Sequence, residues 1–134
     1  ILDEIVELEE RMAITRVMIT HDISVVAGTC KNVAVLYAGS LLEFGPVDEV
    51  LVEPMHPYTK GLIESFPTFE AEEREPLVSI GGSLPDLVEL PQGCVFAPRC
   101  KYACDLCRQK TPEMRSFGGK RKAACHFAGR EFHE

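Results

Sequence analysis

"VAVLYAGSLLEFGPVDEVL" runs from Val33 to Leu51 and decides how the surrounding chain is organised. Two apolar runs meet at Gly39-Ser40, and two strand-like runs joined at such a pair are the usual signal of a β-hairpin. Pro46 follows the second run and lies near the start of "VDEVLVE", which is typical of a short helix. This stretch therefore predicts a strand–turn–strand–helix unit.

The residues before the hairpin predict two helices with a strand between them. "ILDEIVELEERM" places most of its apolar residues on one helical stripe, with carboxylates elsewhere. "TRVMIT" (Thr15–Thr20) is short, β-branched and apolar, which is typical of a strand buried in a parallel sheet. "HDISVVAGTC" predicts a helix with Asp22 as its N-cap, directly after His21. Together with the hairpin, these elements predict an α/β fold.

The residues after the hairpin fall into three segments: a short helix, an acidic segment between two prolines, and a stretch without apolar periodicity. "HPYTKGLIESF" predicts a short helix, whose first-turn proline needs no intrahelical N–H partner. "PTFEAEEREP" (67–76) has acidic residues between two prolines and no core pattern, so we expect an acidic linker or an exposed loop. Beyond Pro91 the apolar periodicity is lost. A segment that can bury so little apolar area needs a covalent or metal staple.

The length and composition limit the class of protein. A chain of 134 residues can form one compact domain or part of a larger one. No apolar run approaches the roughly 20 residues of a membrane span, and the acidic, amphipathic start is not a secretory leader. The chain also lacks a starting Met, so we expect a piece of a longer protein.

Charge is distributed unevenly along the chain. The first 98 residues carry 17 acidic against 5 basic side chains, whereas the last 36 carry 9 basic against 4 acidic. This asymmetry indicates an acidic body and a basic tail with separate roles. The simpler interpretation, that both groups of charges only keep the surface solvated, is equally compatible with the sequence.

The basic tail contains most of the cysteines: Cys94, Cys100, Cys104, Cys107 and Cys125 lie within 32 residues. A disulfide framework needs an oxidising compartment, and nothing in the sequence indicates export. Zinc takes four nitrogen or sulfur ligands, commonly in two short pairs, and Cys104-x2-Cys107 is one such pair. An iron–sulfur cluster takes four thiolates with more variable spacing. Spacing alone leaves zinc and iron–sulfur equally open, and ordinary free thiols are the remaining interpretation.

The positive charge around the cysteines has two possible uses. It would offset the negative charge of a four-thiolate site and lower the thiol pKa values. It would equally suit a nucleic-acid backbone, as in small basic zinc modules. The aromatic residues of the tail form no recognisable RNA-stacking motif. The basic residues concerned are Arg99, Lys101, Arg108, Lys120, Arg121 and Lys122.

The order of several motifs resembles the end of an ABC-transporter ATPase, more narrowly of the oligopeptide/dipeptide importer subfamily. "ITHD" after an apolar run resembles the switch-histidine segment, and "VAVLYAGSLLEFGPVDEVL" is similar to the unit that closes the ATPase fold. "HPYTKGL" resembles the start of the subfamily's C-terminal extension. "GSLPDLVELPQGCVFAPRC", "CRQKTPEM" and "ACH" resemble its later parts. One such motif is weak evidence, but an ordered series over most of the chain is specific.

The resemblance implies a fold class and a division of the chain. Residues 1–53 would be the end of a P-loop ABC ATPase fold, with His21 contacting the γ-phosphate of ATP in the intact protein. Residues 54–134 would be a small, irregular, Cys-rich metal-binding extension, with the acidic linker at 67–76 and the Cys-rich segment at 93–126.

The resemblance also implies a metal centre. Some members of the subfamily hold a 4Fe–4S cluster through four cysteines of this extension, and the family pattern falls on Cys94, Cys100, Cys107 and Cys125. Cys104 stands where the family usually has another residue, so it is the extra thiol. Zinc remains the alternative metal.

The sequence lacks the other parts of an ATPase site. It contains no phosphate loop, no LSGGQ signature and no Asp–Glu pair before the switch segment. The chain alone is therefore not expected to hydrolyse ATP, although the intact protein would use ATP and Mg²⁺.

The resemblance implies a cytoplasmic, peripheral subunit on the inner face of the membrane, with permease subunits and a second ATPase subunit as partners. For the isolated chain we expect self-association through the edge of strand Thr15–Thr20, and no nucleic acid. The alternative function is a free-standing zinc module that contacts nucleic acid through its basic tail.

Overall fold

The computed structural model describes residues 1–66 and 79–130. The acidic linker predicted at 67–76 lies outside the described residues. The helices are α1 (Leu2–Met12), α2 (Ile23–Thr29), α3 (Val47–Val52), α4 (Pro57–Glu64) and α5 (Asp105–Gln109). The strands are β1 (Asn32–Tyr37), β2 (Ser40–Pro46), β3 (Arg115–Ser116) and β4 (Lys122–Ala123), and a short 3-10 helix spans Ala97–Arg99. No helix in these two ranges is long and apolar enough to cross a membrane.

The predicted hairpin is confirmed. β1 and β2 pair antiparallel from Asn32↔Pro46 to Tyr37↔Ser40. The two turn residues, Ala38 and Gly39, both have positive φ angles, of 48° and 75°. Positive φ at both central residues defines the turn whose twist matches that of paired strands. The helix predicted after the hairpin is α3, which follows Pro46 directly.

The hairpin is extended into a four-stranded antiparallel sheet by the basic tail, in the order β1-β2-β4-β3. β4 pairs with β2 at Glu43↔Ala123 and Phe44↔Lys122. Next to this pairing, the Ala124 N–H donates to the Leu42 carbonyl at 2.8 Å. The tail is therefore hydrogen-bonded to the hairpin and does not form a separate module.

The strand predicted at Thr15–Thr20 is wrong. These residues form no strand, and Val17 and Ile19 are 85% and 97% exposed. Every strand pair in the described residues is antiparallel, so no parallel sheet surrounds this segment. An apolar run forms a strand only where a neighbouring segment pairs with its backbone N–H and C=O groups. No described residue takes that role here.

The predicted helix over residues 1–12 is confirmed as α1, but its apolar stripe is not covered. α1 contains no buried residue, and Leu8 and Met12 are 47% and 65% exposed. Arg16 links this helix to α2, because its guanidinium lies 3.2 Å from Glu9 and donates to the Thr29 carbonyl.

A buried carboxylate on β2 joins the sheet to the residues just before α4 and to the residue just before β4. Glu43 on β2 accepts hydrogen bonds from the backbone N–H groups of Met55 and His56, at 2.8 and 3.1 Å. Its Oε1 also lies 3.2 Å from Nη2 of Arg121, which is itself buried and donates to the Glu53 carbonyl. A buried charge is tolerated where it is paired and hydrogen-bonded in this way.

An aromatic cluster forms the core beside this ion pair. The ring of Phe96 lies 5.3 Å from those of Tyr37 and Tyr58 and 5.7 Å from that of His56, in tilted or edge-on arrangements. Such pairs are favourable beyond the area they bury. Phe96 lies in the Cys-rich segment, so the hairpin, α4 and the cysteines share one core.

Candidate functional site

The four cysteines predicted as metal ligands line one small cavity. Its volume is about 10 Å³, close to that of a single water-sized sphere. Neither Cys104 nor any of the six basic residues proposed to offset the thiolate charge lines it. The lining residues are His56, Pro57, Cys94, Phe96, Ala97, Cys100, Cys107, Pro112, Cys125, His126 and Phe127.

Cys94 and Cys107 are brought together by the backbone. The Cys94 N–H donates to the Cys107 carbonyl at 2.8 Å. Gly93 makes this approach possible with a φ of 82°, because a Cβ there would lie 2.4 Å from the Cys107 oxygen. The Thr111 hydroxyl donates to the Gly93 carbonyl on the other side. Gly93 therefore permits the close backbone contact, and the next residue, Cys94, supplies the thiol.

Cys100 follows the 3-10 helix, whose position is set by Arg99. The guanidinium of Arg99 donates to the carbonyls of Gly81 and Ile80, each at 2.9 Å, and to the Tyr37 hydroxyl at 3.3 Å. At the start of the same turn, the Ala97 N–H donates to the Cys94 carbonyl at 3.0 Å. Burial raises the pKa of the Cys100 thiol, and the neighbouring cysteines add to the effect.

Cys107 lies in α5, and Cys104 is the N-cap residue of that helix. Their Sγ atoms are 3.7 Å apart, within hydrogen-bond contact for sulfur. A backbone N–H donated by Cys107 lowers the pKa of the Cys104 thiol, whereas burial raises the pKa of Cys107. The predicted extra thiol therefore contacts one of the cavity thiols from outside the cavity.

Cys125 reaches the cavity from the residues after β4. Arg115 donates to the Cys125 carbonyl at 2.7 Å, and the Ala128 N–H donates to the same carbonyl at 3.2 Å. Burial raises the pKa of the Cys125 thiol to about 11, with smaller contributions from Cys100, Cys94 and Cys107. These mutual effects agree with four thiols grouped around one cavity.

The donor set suits a thiophilic metal, although the groups are not at coordinating positions. In the described ranges, no group of three or more His, Cys, Asp or Glu side chains is placed to hold a metal ion. Four sulfur donors around one apolar cavity nevertheless match the chemistry of zinc and of iron–sulfur clusters. Burial raises the pKa of Cys100, Cys107 and Cys125 because it disfavours the charged thiolate. A bound cation would instead stabilise the thiolates and lower these pKa values.

Two histidines also line the cavity. His56 is buried, which lowers its pKa to about 4, and its Nδ1 accepts a hydrogen bond from the Tyr58 N–H at 3.0 Å. Nε2 of His126 lies 2.8 Å from the Lys110 carbonyl, to which it donates. His56 was not singled out from the sequence. The sequence feature that could have indicated it is its position directly before Pro57, at the N-cap of the predicted helix.

Comparison with known proteins identifies the family. The family model described as "Oligopeptide/dipeptide transporter, C-terminal region" matches residues 42–107. The chain is 39% identical over 126 residues to the "Oligopeptide transport ATP-binding protein OppD" of Haemophilus influenzae, covering 94% of this chain and 38% of that protein. It is 35% identical over 127 residues to the "Dipeptide transport ATP-binding protein DppD" of Escherichia coli, covering 95% and 38%.

The chain belongs to the oligopeptide/dipeptide transport ATP-binding family. The resemblance noted from its motifs is therefore confirmed, and the chain corresponds to a C-terminal part of such a transporter subunit. It spans about two fifths of the length of the relatives it matches. The division at residues 53 and 54 stays a prediction. The matched region begins within β2 and includes the whole of α3, before that division.

The predicted switch histidine of this family is His21, which is exposed and precedes the first turn of α2. Asp22 is confirmed as the N-cap, since its Oδ1 accepts a hydrogen bond from the Ser24 N–H at 2.9 Å. A hydrogen bond from the Ser24 side chain lowers the pKa of Asp22. The cap orients the chain at His21, whose role in ATP hydrolysis stays a prediction.

Proposed function

We propose that this chain is the C-terminal part of the ATP-binding subunit of an ABC importer for peptides. The alignment with oligopeptide and dipeptide transport ATP-binding proteins over 94–95% of the chain carries this proposal. In the intact protein, which would bind ATP and Mg²⁺, hydrolysis would drive uptake. His21 would contact the γ-phosphate at the end of the segment that Asp22 caps.

The expected partners and location follow from the same proposal. An ABC importer couples its ATPase to membrane-spanning permease subunits and to a second ATPase subunit. The intact protein would therefore be cytoplasmic and peripheral, bound to the inner face of the membrane through those subunits. The exposed apolar residues of α1 and of the segment Thr15–Thr20 support packing against other protein surface in that assembly.

The enzymatic part of the proposal is tested in the intact protein. His21→Ala should abolish ATP hydrolysis while leaving ATP binding within a few-fold, because the phosphate loop that cradles the nucleotide would be intact. Ser24→Ala, which removes a side-chain contact of the neighbouring cap, is the control and should retain hydrolysis. Hydrolysis at the wild-type rate by the His21→Ala protein would disprove the assigned role. The 134-residue chain alone should show no turnover.

We further propose that Cys94, Cys100, Cys107 and Cys125 hold a 4Fe–4S cluster, with zinc as the alternative. Support comes from four thiols around one cavity and from a donor set that suits both metals. When bound, the metal centre would covalently cross-link four points of a segment that has few regular elements. Gly93 and the Cys94–Cys107 backbone bond hold two of the four thiols close together. Cys100 and Cys125 are each held at one end of a backbone turn.

The metal proposal is tested by anaerobic purification followed by iron, sulfide and zinc analysis. Cys107→Ser should lose the metal, whereas Cys30→Ser is the matched control, because Cys30 lies at the end of α2 beside Thr29. Iron and sulfide in equal amounts would identify the cluster, and zinc without sulfide would identify the alternative. Wild-type protein with neither metal would contradict the proposal.

The nucleic-acid alternative has lost part of its support. Of the basic residues that suggested it, Arg121 is buried against Glu43, and Arg99 donates to two backbone carbonyls. A guanidinium held in this way is not free to contact phosphate.

A further inference from the structure

The proposed metal centre leaves one thiol unexplained. Five thiols lie in the Cys-rich segment for four places, and Cys104 does not line the cavity. Yet its sulfur lies 3.7 Å from that of Cys107, in hydrogen-bond contact. We infer that Cys104 and Cys107 form a reversible disulfide, which removes Cys107 from the set of cavity thiols.

The positions of the two residues in α5 favour this bond. Cys104 is the N-cap and Cys107 is the third helical residue, so the two side chains lie on the same side of the first turn. Their sulfurs are already in contact. Reaching the bonded separation of about 2 Å therefore requires rotation of the side chains and little movement of the backbone.

The difference in exposure assigns the order of the steps. Cys104 is half-buried and reachable from solvent, whereas Cys107 is buried. The oxidant is a small-molecule disulfide of the glutathione class. The Cys104 thiolate attacks one sulfur of it, forms a mixed disulfide and releases one small thiol. The Cys107 thiolate then attacks Cys104 Sγ and releases the second small thiol. The protein loses two hydrogens, and the small disulfide is reduced to two thiols.

The consequence for the cavity rests on the proposed metal function. With Cys107 bonded to Cys104, three thiols remain around the cavity, and a four-thiolate site cannot form. The backbone bond from Cys94 to the Cys107 carbonyl does not involve sulfur and stays in place. The oxidation state of this pair would therefore control metal occupancy while the segment keeps its backbone contacts.

The first experiment equilibrates the metal-free chain under nitrogen in buffers of reduced and oxidised glutathione. Free thiols are then alkylated and the protein is mapped by mass spectrometry. We expect the Cys104–Cys107 disulfide to be the first to form, to be reversed by reduced glutathione and to persist in the Cys30→Ser control. It should be absent from Cys104→Ser, in which serine can still act as an N-cap. A first disulfide between other cysteines, or none, would overturn the inference.

The second experiment separates this inference from the metal proposal. Reduced and pre-oxidised chains are titrated with Zn²⁺ against a chromophoric chelator. Pre-oxidation should weaken zinc binding by at least tenfold in the wild type and leave Cys104→Ser unaffected. Equal weakening of both proteins would overturn the switch. If the reduced wild type binds no zinc and holds no iron–sulfur cluster after anaerobic purification, but the Cys104–Cys107 disulfide forms, the disulfide stands and the metal function fails.

Discussion

The first 31 residues and the rest of the described chain differ sharply in burial. α1 and α2 have apolar patterns but contain no buried residue. Every buried residue that the structure describes lies in the ranges 37–59 and 94–128, and the second of these has weak apolar periodicity. Apolar periodicity is therefore enough to form a helix, whereas burial of its apolar face requires a surface to pack against.

The largest effect is expected at Glu43, which joins the sheet to both flanking segments. Glu43→Ala removes the acceptor of two backbone N–H groups and the buried partner charge of Arg121. We expect the free energy of unfolding to fall by about 3–5 kcal/mol, as for other broken buried ion pairs.

The control for Glu43 is Glu49→Ala. Glu49 is half-exposed and lies 4.0 Å from Nε of the same arginine. Its loss should cost under about 1 kcal/mol in urea unfolding, as is usual for exposed ion pairs. Equal losses in the two variants would show that the burial of Glu43 is not important.

A pH effect of nearly the same size is expected from His56. Its folded-state pKa is lowered to about 4, below the ordinary value of 6.5, so the unfolded chain takes up the proton first as the pH falls. The stability due to neutral His56 is therefore complete above pH 6.5, declines below it and is fully lost near pH 4. The total loss is roughly 3 kcal/mol, from about 1.4 kcal/mol per pKa unit.

Urea unfolding of the wild type and of His56→Gln between pH 4 and 8 measures this effect. The stability difference between the two proteins should shrink as the pH falls, because glutamine does not titrate. Other titrating groups contribute to both curves alike. Parallel curves over the whole range would rule out His56 as the source.

Gly93→Ala tests the close backbone approach between Cys94 and Cys107. The new Cβ would meet the Cys107 oxygen at 2.4 Å, in a backbone conformation with φ of 82°. We expect a loss of about 2 kcal/mol or more, from the conformation and from the displaced chain.

Gly118→Ala is the matched control for Gly93. Gly118 also has a positive φ, of 93°, but a Cβ there would meet no atom within 4 Å. Its cost should be about 1 kcal/mol, due to the conformation alone. Thermal or urea unfolding compares the two, and a loss at Gly118 as large as that at Gly93 would remove the case for a close contact.

The smallest effect is expected in the exposed N-terminal segment. Val17→Ser and Ile19→Ser should change the free energy of unfolding of the chain by less than about 0.5 kcal/mol, because both side chains are already exposed. If this apolar segment mediates self-association, the double variant should be more monomeric in sedimentation velocity at micromolar concentration. A large loss of stability would mean that the segment packs on the rest of the chain.

Local patterns predicted local structure well. The hairpin turn, predicted at Gly39-Ser40 and found one residue earlier at Ala38-Gly39, the cap at Asp22 and the proline at the start of α4 could be predicted, because each depends on residues within four positions. The segment Thr15–Thr20 was misread because a strand depends on partners that are distant in sequence. His56 and Glu43 were missed for the same reason, since their importance comes from burial by residues far along the chain.

Residue identity, order and spacing were enough to predict the hairpin, α1, the cap of α2, the family and the thiols available for a metal, but they wrongly predicted a strand at Thr15–Thr20. Three features became visible only in the folded chain: β4 completes the hairpin sheet, Arg121 pairs with Glu43 across 78 positions, and Cys104 lies outside the cavity while contacting Cys107. The first two are long-range contacts, in which burial and hydrogen bonding select one partner among many chemically equivalent ones, and the third depends on how α5 packs on the rest of the chain. No local pattern carries that choice.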